Sequence, residues 1–110
     1  MSDINTVNIS GRLGADPIIK YFESGSVTAE ISIAVNKYNS KEGKETATWH
    51  VARAWGKRAE YIGEYAKSGD AVIITGSLEK DVYKDKDGKT RANSYILISQ
   101  IKTLPRKEEK

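Results

Sequence analysis

The sequence predicts an all-β fold: a five-stranded barrel with one helix between its third and fourth strands. Three observations predict it. Apolar and polar residues alternate with period two through most of the chain, the mark of strands with one buried face. A single stretch, 57–68, instead has apolar residues at spacings of three and four. Glycine-rich bends separate the strand-like segments, as in small barrels and sandwiches. The chain has 110 residues and no visible linker, which suits one domain over 1–105 and a short charged tail over 106–110.

The first strand covers 6–13. Val7, Ile9 and Leu13 share a face with Gly11, where a missing side chain allows a bend or a close backbone approach. Gly14-Ala15-Asp16-Pro17 reads as a turn. A short apolar stretch follows at 18–22 and ends at Glu23-Ser24-Gly25. The second strand, 27–37, is the clearest. Val27, Ala29, Ile31, Ile33 and Val35 alternate with Thr28, Glu30, Ser32, Ala34 and Asn36. A polar loop is expected over 38–45. The third strand, 46–55, carries Trp49, Val51, Arg53 and Trp55 on one face and Thr48, His50, Ala52 and Ala54 on the other.

The helix over 57–68 uses Ala59, Ile62 and Ala66, with Gly69 as its stop. Tyr61 and Tyr65, four apart, are placed to pack on each other or to cover the barrel end. The fourth strand covers 71–84, with Gly76 as a bend or bulge. Asp85-Lys86-Asp87-Gly88 is a hairpin signal. The last strand covers 89–104, with Tyr95, Leu97 and Ile101 on one face and Ile96 and Ile98 on the other; Pro105 ends it. A helix between the third and fourth strands is the order of the OB-fold barrel. A five-stranded meander packed on one helix is the alternative.

Catalytic chemistry finds little support. The chain has no cysteine, which removes disulfides, thiolate metal sites and cysteine nucleophiles together. His50 is the one histidine, and no carboxylates stand beside it with metal-ligand spacing. Gly63 and Gly69 lack the Gly-Lys-Ser/Thr ending of a phosphate loop. Asp81, Asp85 and Asp87 read as residues of a solvated hairpin, and lysines interrupt any calcium-loop pattern. The expectation is no catalytic residue, no metal and no cofactor. The longest apolar run, 71–74, is far short of a membrane span. Met1-Ser2-Asp3-Ile4 has no signal-peptide character, so a cytoplasmic address without a membrane partner is expected.

Binding chemistry is better supported. The apolar share is 38%, below that of a typical globular domain, so much side-chain surface is free. The net charge of +3 is small, and what matters is where the cations cluster. Single-stranded nucleic acid needs flat faces for its bases and positive charge for its phosphates. Trp49 and Trp55 flank Val51 and Arg53, and Lys57 and Arg58 follow. Lys37 and Tyr38 close the second strand. Tyr83 sits between Lys80 and Lys84, and Arg91 is on the returning arm. Tryptophan is often core. Here inward tryptophans would take Arg53 inside with them, whereas Ala52 and Ala54 suit the cramped interior of a small barrel. Val51 and His50 pull the other way.

These residues resemble the bacterial single-stranded DNA-binding protein family over nearly the whole chain. The likeness runs through Gly11-Arg12-Leu13-Gly14 with Asp16-Pro17, then Ile31-Ser32-Ile33-Ala34-Val35-Asn36. It continues through Trp49-His50, Trp55-Gly56-Lys57 and Ala59-Glu60, then Gly76-Ser77-Leu78, Tyr83 and the hairpin to Arg91. The resemblance implies an OB-fold homotetramer that binds single-stranded DNA with little sequence preference, serving replication, recombination and repair at the nucleoid. It implies stacking roles for Trp49, Trp55, Tyr83 and Tyr38. Phosphate contacts are implied for Lys20, Lys37, Arg53, Lys57 and Lys80, beside the neighbouring Lys84 and Arg91. Subunit contacts are implied near Val7 on the first strand and at His50. Family members typically continue into a flexible linker and an acidic tip; residues 106–110 have neither character, so tail-recruited partners do not carry over. A tail-less OB-fold assembly protein, similar to primosomal replication protein N, is the alternative reading.

Overall fold

The computed structural model describes residues 3–104. The tail expected over 106–110, and Pro105 as a strand end, lie outside the described residues. Those residues form β1 (Val7–Leu13), β2 (Ile18–Tyr21), β3 (Val27–Asn39), β4 (Lys44–Trp55), α1 (Lys57–Tyr65), β5 (Ala71–Lys84) and β6 (Thr90–Leu104).

Five of these strands close into a barrel. β1 runs antiparallel to β5, from Val7↔Gly76 to Arg12↔Ala71. Its end also meets β3, at Arg12↔Ala34 and Leu13↔Ile33. β3 and β4 pair from Thr28↔Trp55 to Asn39↔Lys44, β4 meets β6 in parallel at Ala52↔Ile96 and Arg53↔Leu97, and β6 returns along β5. A Cβ on Gly11 would collide with the Ala34 carbonyl, so glycine lets β1 and β3 approach where the barrel closes. The β5–β6 register shifts between Thr75 and Gly76, the bulge expected there.

The strand count changes in one respect. The apolar stretch at 18–22 is a sixth strand, β2, paired with the outer edge of β3 from Ile18↔Glu30 to Tyr21↔Val27. Four residues without alternation give no strand signal of their own; the long partner strand supplies the order. The helix therefore follows the fourth strand in chain order, though still the third of the barrel.

The core is built by the period-two faces. Val27, Ala29, Ile31 and Ile33 of β3 point inward with Ala52 and Ala54 of β4, Val72 and Ile74 of β5, and Ile96 and Ile98 of β6. α1 lays Ala59 and Ile62 over one end. The helix stops at Tyr65 rather than at 68. The Lys67 N–H donates to Asp70 Oδ2 at 3.0 Å and the Ser68 N–H donates to Asp16 Oδ1 at 2.8 Å, so side chains take the donors that a further turn needs. Ala66 stays buried in extended backbone. Tyr61 and Tyr65 pack together with ring centroids 4.9 Å apart, and the Tyr61 hydroxyl reaches Thr103 Oγ1 at 3.1 Å.

Two strand pairs run past the barrel as arms. The loop expected over 38–45 is mostly paired strand: β3 and β4 stay in register out to Asn39↔Lys44. Its polar composition reflects two solvated faces rather than a lack of structure. Asn39 Oδ1 accepts the Lys41 N–H at 3.0 Å and closes the tip. The β5–β6 arm ends at Lys84↔Thr90, where Asp85 accepts the N–H groups of Asp87 and Lys89. No helix of the described residues is long and apolar enough to cross a membrane.

Candidate nucleic-acid interface

The outer face of β4 follows from its inner one. Ala52 and Ala54 are fully buried, so the alternate residues must face out; Trp49 and Trp55 are 59% and 55% exposed. The two indoles are six residues apart on an extended strand, or about 20 Å at roughly 3.3 Å per residue. Trp49 stands opposite Ala34 and Trp55 opposite Thr28. The ring of Trp49 lies over Gly14, where any Cβ would collide with it. Trp55 flanks a groove of about 270 Å³ that Ile18, Lys20, Phe22, Thr28 and Arg53 also line. Lys20 is thus brought beside Trp55 by β2, the strand that the sequence did not announce.

Arg53 lies between the tryptophans and is heavily engaged. Its Nε donates to Glu30 Oε2 at 3.1 Å and a second guanidinium nitrogen donates to Asp81 Oδ2. Its guanidinium carbon sits 4.4 Å from the centroid of the Tyr95 ring. The Asp81 hydrogen bond, with Glu30 behind it, raises the Arg53 pKa against the opposing pull of desolvation. Tyr95, Ile18 and Phe22 belong to this surface and escaped the sequence reading as site residues. Phe22 and Ile18 flank Lys20 in the sequence, an apolar–basic pattern that could have flagged them. Tyr95 becomes a neighbour only through the parallel β4–β6 contact, which leaves no local signal.

The remaining candidates divide by face. Tyr83, 46% exposed, pairs with Arg91 across the β5–β6 arm, and these residues share the sheet side of Tyr95 and Leu97. Arg91 is tied to Asp85 at 2.9 Å. Lys80 and Lys84 point to the other side of that arm, opposite Ser94 and Thr90. Tyr38 is on the tryptophan side of the β3–β4 arm, and Lys37 is on the reverse side. Lys57 opens α1 and lines a separate groove of about 540 Å³ with Arg58, Tyr61, Ile73 and Lys102. His50 is half-buried opposite Ile33. Val7, also half-buried, lies where β1 pairs with β5 alone.

The chain is similar to known proteins over nearly all of its length. The family model described as "Single-strand binding protein family" matches residues 4–104. "Single-stranded DNA-binding protein 2" of Nostoc sp. is 45% identical over 99% of this chain and 86% of its own length. "Single-stranded DNA-binding protein 1" of Synechocystis sp. is 37% identical over 96% and 88%. A protein of the same printed name from Xylella fastidiosa is 32% identical over 99% and 83%. With residues 4–104 matched by the family model and these relatives 32–45% identical over nearly its whole length, the chain belongs to the single-strand binding protein family.

Proposed function

We propose that the chain binds and protects single-stranded DNA with little sequence preference, in replication, recombination and repair at the nucleoid. Bases stack on Trp49, Trp55, Tyr83 and Tyr38. Phosphates are held by Lys20, Lys57, Lys37, Lys80, Lys84 and Arg91. One observation carries the reading: two tryptophans stand more than half exposed on one strand face, with a lysine beside one of them. Leaving two large aromatics in water forgoes their burial, and stacking on unpaired bases recovers it at roughly 1–3 kcal/mol per base. The relatives named as single-stranded DNA-binding proteins support the same ligand.

The assembly in this reading is a homotetramer. Its support is the edge of β1, whose residues Val7, Asn8, Ile9, Ser10 and Gly11 pair with β5 alone. Such an edge offers unpaired backbone groups to a second copy. Competition tests the ligand: a labelled oligo(dT) bound to the protein should be displaced by unlabelled single strands and hardly by duplex of equal length. Equal displacement by both would end the reading.

A further inference from the structure

Arg53 is fixed in its own plane by two carboxylates from two different strands. Glu30 on β3 and Asp81 on β5 each spend one oxygen on it, and its guanidinium carbon lies over the Tyr95 ring of β6. Hydrogen bonds from two guanidinium nitrogens and a ring beneath the guanidinium carbon use the geometry of arginine as well as its charge. The carboxylates are also the more open partners: the Glu30 and Asp81 side chains are 42% and 45% exposed against 31% for Arg53. The cluster has a formal charge of −1, from two carboxylates and one guanidinium. A phosphate approaching it meets negative charge first, and the Arg53 donors facing the carboxylates are already used. A base is uncharged, and Arg53 lines the groove that Trp55 flanks, whereas Tyr95 does not.

We propose that Arg53 is a base-stacking platform, held flat by Glu30 and Asp81 and backed by Tyr95, and is not a phosphate contact. This inference rests on the single-strand-binding reading above. The bases then run across the middle of the face, over Trp55 and Arg53, and the phosphates follow the rim, where Lys20 lies. Arg53 thereby leaves the set of phosphate contacts that the sequence suggested, and Tyr95 joins the interface as its support.

Salt dependence separates the two roles. Affinity for labelled oligo(dT) is measured across a range of salt concentrations for the wild type, Arg53→Met and Arg53→Lys, with thermal melting to verify folding. A phosphate contact on a single strand adds about 0.7 to the slope of log affinity against log salt. The expected result is that both variants bind about threefold to tenfold more weakly, the size of a stacking or cation–π contact, with the wild-type slope. Lysine fails to rescue because it keeps the charge and loses the plane. A slope lower by about 0.7 in Arg53→Met, restored by Arg53→Lys, would overturn the inference. Should Arg53→Met not fold, the Glu30→Gln, Asp81→Asn pair decides. Freed from its carboxylates, Arg53 should gain a phosphate and steepen the slope by about 0.7; an unchanged slope overturns the proposal. A wild-type protein that does not bind the oligonucleotide removes the binding reading and this inference together, whereas a wild type that binds with the lowered Arg53→Met slope removes this inference alone.

Discussion

The six-membered ring of Trp49 rests on Gly14, close enough that a Cβ at position 14 would collide with Cζ3 and Cη2 of the indole. The Gly14 N–H donates to the Ser32 carbonyl at 3.1 Å, so this support is tied to β3 and cannot simply retreat. The indole is thus held from below while it remains mostly exposed. Gly14→Ala should displace the ring and weaken oligo(dT) binding by about 1 kcal/mol, the lower end of a stacking loss, with little change in melting. Fluorescence titration beside a circular-dichroism melt checks this. Wild-type affinity in Gly14→Ala would mean that the ring's position over Gly14 is immaterial to binding.

Trp55→Ala should cost about 1–3 kcal/mol of oligo(dT) affinity and leave the fold intact. The core beneath it is carried by Ala54, Ala29 and their inward neighbours, none of which the substitution touches. Unfolding of Trp55→Ala would show that this indole is structural, and the outer face would need another origin.

The barrel was legible because its inner face is written in period two. The alternation from Val27 to Val35 and the small Ala52 and Ala54 locate the core without reference to any partner strand. That same pattern put Trp49 and Trp55 outside. Three features were not legible. β2 is too short to show a period, so the groove beside Trp55 and the contribution of Ile18 and Phe22 could not be foreseen. The arm of β3 and β4 beyond Asn36 is polar on both sides, and polar composition reads as loop. The parallel meeting of β4 with β6 is a long-range contact with no local signal, so Arg53 looked free when Glu30, Asp81 and Tyr95 hold it.

Lys20 tests the rim. It lines the Trp55 groove and has no ion-pair partner among the described residues. Lys20→Ala should lower the slope of log affinity against log salt by about 0.7, one phosphate on a single strand. Melting should be unchanged, since exposed lysines contribute little to stability. An unchanged slope would remove Lys20 from the path of the backbone.

The tip of the β5–β6 arm should respond to acid. Arg91 first, then the Lys89 and Asp87 N–H groups, hold the Asp85 carboxyl below its ordinary value of 3.8. A carboxyl lowered in the folded hairpin stabilises it in the charged form. That stabilisation is complete above the ordinary value and is lost as pH falls from there through the lower folded value. Proton resonance contacts between Tyr83 and Arg91 should persist at neutral pH and fade only below about the ordinary carboxylate range. In Asp85→Asn this acid transition should vanish; its persistence would place the titrating group elsewhere.

Intrinsic tryptophan fluorescence during titration with oligo(dT) tests the central claim most directly, because Trp49 and Trp55 are the only tryptophans in the chain. Deep quenching with single strands, and little with duplex of equal length, is the result expected if bases stack on the exposed face of β4. No quenching, or the same weak response to both, would contradict it and leave the two indoles as features of an interface for some other ligand.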